Sequence, residues 1–598
     1  MPRTLLTLAS VLLFLTTSFA QQKIESRIRR VEEGLLPPVL LKGEGGWTLQ
    51  KRMKHYRVPG VSIAVINNHA VEWARAYGVK DAATGEPVTT ETVFQAASIS
   101  KTLNATVIMK RVMEGKLSLD ENVNTYLKSW QLPDNEFTAK KKVTIANLLS
   151  HTGGTTVSGF PGYSVTAPLP SVQQILKGEP PANTAPVIVN TDPGVRFRYS
   201  GGGTTILQLV LTELEKKPYA KIMNETVIGP LNMSNSTFSQ PLPDEWKSRA
   251  ATGHRPEDKP VEGKWHVYPE LAAAGLWTTP TDLAKFAIEH QLSVQGNSNK
   301  ILKREFDEKM MTPYIGGSYG LGWGVQKMGD AVYFQHDGGN EGFSCSLVAH
   351  IKSGYGAVVM INANSVGIIP EIMRSIAREY EWENYLPAPY EPVVLAEEKL
   401  QRMTGRFLLG SDRAVTVSAA GGRILADVTR MSRIEFVPIS QTESISLEDG
   451  ARVTFIAGDT PADDSLRIGD GTGAMRASRI DLDRKVPYEL LITGAPDEAV
   501  ERYRAIKKSD PADRAVGESA LNELGYELLR QNKLKEAIVI FRLNVEFYPI
   551  SSNVYDSLGE VLAKSGETEE AIKSYRKSLE LNPNNSGAVE ALKKLEKK

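Results

Sequence analysis

Strand-like runs lie near both ends of residues 22–385, and this placement constrains the fold more than any other feature. The runs are apolar and rich in β-branched residues, and they cover residues 61–66, 71–78, 331–335, 343–349 and 356–361. Apolar residues at helical spacing dominate the sequence between them from Ser98 onward. Strands at both ends with helices between them predict an α+β domain in which the first and last parts share one sheet.

A second, smaller region of strands follows a proline-rich linker at residues 386–396. From 397 to 486, short alternating runs recur between clusters of Gly, Asp and Ser. This pattern predicts a small all-β domain, either a sandwich or a barrel. No catalytic cluster is evident in it.

The last part of the chain, residues 510–598, contains an internal repeat. Leu524-Gly525 recurs as Leu558-Gly559, and Ala, aromatic and Pro positions recur at the same offset of 34 residues. This period and pattern are typical of tetratricopeptide (TPR) helix pairs, here at about 518–551 and 552–585, followed by a lysine-rich capping helix. Because two repeats rarely stand alone, they are expected to dock onto a neighbouring domain or to bind a protein partner.

The N-terminus predicts secretion. Arg3, an apolar stretch and Ser18-Phe19-Ala20 form a signal peptide over residues 1–20, cleaved after Ala20. The mature chain is therefore expected in the periplasm or outside the cell, without a transmembrane segment. Cys345 is the only cysteine, which excludes an intrachain disulfide.

The charge balance excludes some classes of partner. Lys+Arg and Asp+Glu each number 70, so the net charge is zero, and neither nucleic acid nor an anionic membrane surface is indicated as a partner. The eight histidines are scattered, with no metal-binding spacing and no glycine-rich phosphate loop. No metal or cofactor is expected.

The strongest candidate for chemistry is Ser98 with Lys101, in a Ser-x-x-Lys motif that precedes an apolar helical run. If Ser98 opens the helix, Lys101 lies one turn later on the same face. The positive end of the helix dipole then favours an alkoxide, and a buried neutral amine takes the proton. Taken alone the motif is weak, because most such serines cap a helix.

Two further segments supply partners for Ser98. Tyr199 precedes Ser200-Gly201, and a neighbouring lysine is expected to make its hydroxyl easier to ionise, although most such tyrosines are core residues with a bonded hydroxyl. His336 precedes three closely spaced glycines at the end of a strand, where glycine lets a backbone N–H approach a ligand. A lone histidine beside an aspartate is more often structural.

Taken in order, the three motifs resemble those of the serine β-lactamase and penicillin-recognising family. The motifs are Ser98-x-x-Lys101, Tyr199-Ser200-Gly201 and His336-Asp337-Gly338. The resemblance covers about residues 52–362, is closest to the class C-like branch of esterases and D-amino-acid peptidases, and implies a β-lactamase/transpeptidase-like fold with an antiparallel sheet and a helical region. Other stretches that resemble this branch are residues 148–154, 229–233, 274–283 and 319–323.

The resemblance also implies roles for individual residues. Ser98 is the acylated nucleophile, and Lys101 with Tyr199 forms the base pair. The backbone N–H groups of Ser98 and Gly339 form the oxyanion hole. The implied substrate-binding residues are His336, Gly338, Gly339 and Gly201. His151, in a turn expected to lie apart from the three motifs, is interpreted as structural.

Two departures from the family pattern bear on the substrate. Gly201 replaces the residue whose side-chain amide many relatives aim at the substrate, and His336 replaces a lysine that holds a substrate carboxylate. Because histidine titrates near neutrality, its charge is conditional. Both changes argue against efficient β-lactam hydrolysis, so an esterase or a peptidase of D-residue substrates fits better. The alternative is a non-catalytic sensor or binding protein that keeps the fold and recruits a partner through its repeats.

Overall fold

The computed structural model describes residues 21–256, 259–469 and 474–596. The chain divides into two compact units, one containing the chain up to Pro37 with Glu44–Ala388, the other Pro38–Gly43 with the chain from Pro389 onward. The predicted signal peptide falls outside the described residues. Among the described helices, none combines the length and apolar character needed to cross a bilayer.

The first unit is built on a large antiparallel sheet, with six short strands elsewhere. Its strands are β1 (Gly60–Asn67), β2 (Ala70–Asp81), β3 (Glu86–Pro87), β4 (Phe94–Gln95), β5 (Tyr163–Ser164), β6 (His254–Arg255), β7 (Lys259–Pro260), β8 (His266–Val267), β9 (Trp277–Thr278), β10 (Gly324–Met328), β11 (Ala331–Asn340), β12 (Phe343–His350) and β13 (Gly356–Ile361). The sheet order is β10-β11-β12-β13-β1-β2-β3, with Val61 opposite Ile361. This confirms the prediction that the two ends of the domain share one sheet.

Helices cover both faces of this sheet. They are α1 (21–32), α2 (Leu49–Tyr56), α3 (Ser100–Met113), α4 (Glu136–Lys140), α5 (Ile145–Leu149), α6 (Val172–Lys177), α7 (Gly201–Glu215), α8 (Tyr219–Met223), α9 (Asp244–Lys247), α10 (Leu271–Ala274), α11 (Pro280–Val294), α12 (Arg304–Met310) and α13 (Ile368–Glu379). Successive residues of β1 alternate between two cores: Ala64 packs with the core that contains α3, and Val65 with the core that contains α13. A sheet buried on both faces explains why its strands are apolar throughout.

The second unit contains a closed barrel, which decides between the two predicted all-β architectures. Its strands are β14 (Gly405–Gly410), β15 (Arg413–Ala420), β16 (Arg423–Val428), β17 (Ile434–Pro438), β18 (Glu443–Ser446), β19 (Arg452–Ile456), β20 (Ser465–Ile468) and β21 (Met475–Ile480). Each strand pairs with the next, and β14 pairs with β21 to close the barrel. Helix α14 (Glu397–Met403) precedes it, and its Leu400 and Met403 join the barrel core.

Helices complete the second unit. They are α15 (Pro487–Ile492), α16 (Pro496–Ser509), α17 (Glu518–Arg530), α18 (Leu534–Phe547), α19 (Ser552–Ser565), α20 (Thr568–Leu581) and α21 (Ser586–Leu595). The first repeat docks onto the barrel through an ion pair between Arg430 and Glu527, with N and O 2.6 Å apart.

The packing of the helix pairs explains the repeated Leu-Gly and aromatic positions. A Cβ on Gly525 would lie 2.5 Å from the Phe541 ring, and one on Gly559 would lie 3.0 Å from the Tyr575 ring. In each repeat, therefore, the absence of a side chain on one helix makes room for the aromatic ring of the next.

Candidate active site

The candidate nucleophile lies in a tight turn between β4 and α3. Ser98 belongs to a 3₁₀ turn, Ala97–Ile99, and α3 begins two residues later at Ser100. The residue before the nucleophile, Ala97, has a φ of 46°, a left-handed conformation that costs energy for any residue but glycine. Ser98 is therefore presented by a strained turn next to the helix, whereas the sequence argument placed it at the first position of the helix.

Lys101 is held against Ser98 in a buried position. Its Nζ lies 3.0 Å from Ser98 Oγ and donates a hydrogen bond of 2.8 Å to the carbonyl oxygen of Ala273. Burial lowers the pKa of Lys101 to about 7, because the charged ammonium is poorly solvated there. Near neutral pH a substantial fraction of the amine is unprotonated and has a lone pair available for the serine proton.

Tyr199 also reaches the nucleophile, but it is harder to ionise than the sequence argument expected. Burial raises the pKa of Tyr199 to about 12, and a hydrogen bond with the Ser98 side chain offsets only part of that rise. The Lys101 Nζ lies 5.1 Å from the centre of the Tyr199 ring. The lysine thus faces the π-system, and the hydroxyl stays protonated at neutral pH. In this structure Tyr199 is a proton donor, and Lys101 is the group suited to act as base.

Strand β11 brings two glycines to the nucleophile turn. A Cβ on Gly338 would lie 2.3 Å from the Ala96 carbonyl oxygen and 2.6 Å from Cys345 Sγ, so only glycine allows this approach. Gly339 is exposed, and a Cβ there would meet no atom within 4 Å. Gly338 therefore fixes the position of the strand, while Gly339 faces open space.

Asn340, which the sequence argument did not single out, ties this strand to two other parts of the site. Its side-chain amide donates to Gln95 Oε1 at 2.7 Å and to the Ala274 carbonyl oxygen at 3.1 Å. These bonds join β11, strand β4 before Ser98, and α10, whose Ala273 carbonyl oxygen accepts the hydrogen bond from Lys101. In the sequence, Asn340 is marked only by its place two residues after the third motif, and asparagine is too common near such motifs to be singled out.

His336 is neutral in this environment. Burial, with a smaller effect from the Lys101 charge, lowers the pKa of His336 to about 4. Its Nδ1 lies 2.7 Å from the Asp337 carbonyl oxygen and its Nε2 lies 3.0 Å from the Tyr319 hydroxyl. These partners assign the proton to Nδ1, so Tyr319 donates to Nε2. At neutral pH, His336 does not supply the positive charge that a lysine would provide.

His151 lies against the motifs, so the expectation that its turn would be apart from them was wrong. Its ring centre is 4.3 Å from that of Tyr199 and 5.0 Å from that of Tyr319. The Ser200 backbone N–H donates to His151 Nδ1 at 3.2 Å, and burial lowers the pKa of His151 well below its usual value. A neutral, buried ring that accepts a backbone hydrogen bond orients the Tyr199 segment.

Gly201 lies at the start of α7, where Phe160 covers it. A Cβ on Gly201 would lie 3.0 Å from the Phe160 ring and 3.1 Å from the Ser158 carbonyl oxygen. A side chain at this position would therefore be in close contact with the Phe160 ring. Phe197 is an exposed apolar residue near the site, and its ring centre is 5.4 Å from that of Tyr319.

Glu270 is a second buried titratable group, directly before α10. The residue is completely buried, and neither carboxyl oxygen has a well-aligned hydrogen-bond partner among the described residues. Burial raises the pKa of Glu270 to about 7, while the nearby Tyr163 hydroxyl lowers it by less. The sequence gives no signal for this, because the residue resembles any glutamate at the start of a helix.

Two family models match the chain. A model described as Beta-lactamase matches residues 48–367, which is more than half of the 598 residues. A model described as Tetratricopeptide repeat matches residues 552–585.

Similar proteins are found among curated sequences and solved structures. Protein flp of Staphylococcus aureus (strain COL) is 26% identical over 322 residues, covering 52% of this chain and 60% of that protein. The chain therefore spans about three fifths of this relative's length. The octameric penicillin-binding protein homologue from Pyrococcus abyssi is 22% identical, with a TM-score of 0.48 over 72% of this chain and 98% of that one. The D-amino acid amidase from Ochrobactrum anthropi SV3 is 20% identical, with a TM-score of 0.44 over 60% of this chain and 98% of that one.

The Beta-lactamase model covers more than half of the chain, which is enough to assign the family. The motifs centred on Ser98, Tyr199 and His336 fall within the matched region. The chain belongs to the Beta-lactamase family, whose members are generally serine hydrolases, and it carries a tetratricopeptide repeat in its C-terminal part.

Proposed function

We propose that this protein is a secreted serine hydrolase that acts through an acyl-enzyme on an ester or an amide, as an esterase or a D-amino-acid peptidase. The observation that carries the proposal is the buried Lys101 amine, 3.0 Å from Ser98 Oγ, with a pKa lowered to about 7. An amine with that pKa is suited to general base catalysis near neutral pH.

In the acylation step, Ser98 Oγ attacks the substrate carbonyl carbon and its proton passes to Lys101 Nζ. The hydrogen bond from Lys101 to the Ala273 carbonyl oxygen holds the amine in place in either protonation state. The Tyr199 hydroxyl, which is protonated at neutral pH, donates a proton to the leaving alcohol or amine and is reprotonated by Lys101, which returns to its neutral form. The bond between carbonyl carbon and leaving group breaks, and the acyl group remains on Ser98.

The negative charge on the carbonyl oxygen needs backbone donors. The Ser98 and Gly339 N–H groups are the proposed pair, and the close approach of Gly338 to Ala96 sets the distance between them. A water molecule then attacks the acyl carbon and gives a proton to Lys101. The bond from the acyl carbon to Ser98 Oγ breaks, Oγ takes a proton from Tyr199, and Lys101 reprotonates Tyr199 as the carboxylic acid leaves.

The surroundings favour an uncharged, apolar acyl group. His336 is neutral at physiological pH, Gly201 has no side-chain amide, and the apolar Phe160 ring packs beside it. Substrates that need a fixed positive charge or that amide, β-lactams among them, are expected to react weakly or not at all.

The first experiment measures hydrolysis of p-nitrophenyl acetate and butyrate by the mature protein, beside Ser98→Ala and Ser234→Ala. Ser234 is exposed and serves as a matched control. We expect Ser98→Ala to lower kcat/KM by about 10³-fold or more, and Ser234→Ala to leave it unchanged. Equal rates in the Ser98 variant and the wild type would exclude Ser98 as the nucleophile.

Covalent labelling separates a hydrolase from a non-catalytic sensor. A fluorophosphonate should add one label to the wild type, which peptide mapping places on Ser98, and none to Ser98→Ala. Absence of both label and hydrolysis would favour the binding-protein alternative, which the repeats make attractive.

A further inference from the structure

We propose that the barrel β14–β21 is a second ligand-binding site, for a medium-chain fatty acid whose alkyl chain lies inside the barrel and whose carboxylate pairs with Arg413. This inference is independent of the hydrolase activity, because it rests on a different unit of the chain.

The barrel interior is a cavity with a regular apolar wall. Its volume is about 200 Å³. Alternate residues of each strand line it, such as Val415 and Val417 on β15, Ile424 and Ala426 on β16, and Phe436 on β17. Since alternate side chains point to the same side of a strand, these residues face the barrel axis.

One end of the barrel is closed. Leu400 and Met403 of α14 pack with Phe407 and Phe455 in the same core, and Met403 also lines the cavity. A ligand therefore cannot pass through the barrel, and the cavity has a blind end.

The described residues leave the other end open and line it with flexible apolar side chains. Met431 and Met475 line the cavity, yet 57% and 44% of their surfaces are exposed. The same two residues, with Leu409 and Arg413, also line a cleft of about 640 Å³ beside α17. This cleft provides an entry path, and methionine adapts its shape to different ligands.

The size of the cavity sets the length of the ligand. An apolar cavity of roughly 150 Å³ stays dry and binds a six-carbon ring, so about 200 Å³ accommodates a chain of about eight carbons. Octanoate is the natural probe.

One basic side chain at the cavity can receive an anionic headgroup, although the cleft beside it also carries acidic residues such as Asp510 and Glu523. Among the described lining residues, Arg413 and Asp449 are the charged ones. Asp449 accepts a hydrogen bond from the Ala451 N–H at 3.0 Å within its turn. The exposed Arg413 guanidinium forms a long ion pair with the Asp412 carboxylate, with N and O 3.9 Å apart. Because a guanidinium has several N–H donors, a ligand carboxylate can share it with Asp412. Arg413 is thus able to pair with a carboxylate at the mouth.

The test is calorimetric titration of the full chain with butanoate, octanoate and octan-1-ol. We expect octanoate to bind at least tenfold more tightly than butanoate. Ala426→Phe, which fills the cavity, should weaken octanoate binding at least tenfold. Ala420→Phe, at the exposed end of β15, should leave it unchanged. Octanoate affinity that is equal in the wild type and in a folded Ala426→Phe protein would overturn the proposal.

The headgroup is tested separately. Arg413→Gln should weaken octanoate binding by about two- to fivefold, the usual size of an exposed ion pair, without changing octan-1-ol binding. Arg467→Gln is the matched control, because Arg467 is exposed and lies between two inward-facing residues of β20. An equal loss for octanoate and octan-1-ol would refute the pairing with Arg413.

A measurement on the wild type covers the case in which Ala426→Phe fails to fold. A photoactivatable diazirine analogue of octanoic acid should crosslink to peptides that contain β15, β16 or β17, and excess octanoate should compete with it. Crosslinks confined to the unit that contains Ser98, or absent altogether, would overturn the proposal.

Discussion

The active site and the barrel cavity are both concave, but they are built in opposite ways. The active site joins polar groups from segments far apart in the chain, and its geometry depends on single close approaches such as Gly338 to Ala96. The barrel cavity uses alternate apolar residues of neighbouring strands, and many side chains share each contact. One changed atom is therefore expected to disable the first, whereas the second should tolerate small changes in side-chain volume.

After the loss of the nucleophile itself, the largest expected effect is at Lys101. Lys101→Met keeps the length of the side chain but removes the amine, and should lower kcat/KM for p-nitrophenyl butyrate by about 10²–10⁴-fold. Wild-type activity should rise with pH through about 7, as the lysine loses its proton. Lys110→Met, on the same helix, is the control and should behave like the wild type. A wild-type profile without this rise would assign the base elsewhere.

The two adjacent glycines test whether a single approach distance controls the active site. Gly338→Ala should reduce kcat by about 10²-fold, because its Cβ displaces β11 and with it an oxyanion donor. Gly339→Ala, whose Cβ meets nothing within 4 Å, should keep kcat within a few fold and change mainly KM through contact with substrate. Steady-state measurement of kcat and KM for the two variants beside the wild type checks this prediction. Equal losses of kcat in the two variants would contradict the idea that the approach of Gly338 to Ala96 controls the active site.

The burial of Glu270 should make the stability of the unit that contains Ser98 depend on pH. The pKa of Glu270 is raised from 4.5 to about 7, so the neutral form is favoured by folding. The contribution of Glu270 to the free energy of unfolding is fully present below pH 4.5 and is lost as the pH rises through 7. The shift corresponds to a loss of about 3 kcal/mol at pH 8.

Glu270→Gln should therefore stabilise this unit by about 3 kcal/mol at pH 8 and by almost nothing at pH 4. All eight tryptophans lie between Trp47 and Trp382, so denaturant unfolding followed by tryptophan fluorescence reports on this unit. Glu262→Gln, at an exposed position, is the control. The same stabilisation at both pH values would show that Glu270 keeps an ordinary pKa.

The smallest expected effect is in the barrel. Ile424→Val removes one methylene from the cavity wall and should destabilise the barrel by about 0.5–1.5 kcal/mol. Far-UV circular dichroism should detect this loss, while ester hydrolysis and the tryptophan transition should not change. A loss of hydrolysis would mean that the barrel wall affects the active site.

Sequence patterns predicted the parts of this molecule that depend on local order. Apolar, β-branched runs indicated the sheet shared by both ends, short alternating runs indicated the all-β domain, and the 34-residue spacing indicated the helix pairs. The motifs singled out Ser98, Lys101, Tyr199 and His336, which the structure brings to one place.

What the sequence did not predict depends on contacts between distant segments. The ring contact between His151 and Tyr199, the Asn340 bonds and the burial of Glu270 arise only when separate segments meet. The protonation of Tyr199 depends on desolvation, which outweighs the hydrogen bond with Ser98 and cannot be read from neighbours in sequence.

The two outermost strands of the large sheet have a consequence for how copies of this protein behave when crowded. β3 has only two residues, Glu86 and Pro87, both exposed, and proline has no N–H to offer to an incoming strand. β10 has five residues and carries the exposed Lys327. The closed barrel has no edge at all. Short, charged or proline-bearing edges are the features that discourage edge-to-edge aggregation, so copies of this chain have little tendency to add strand to strand.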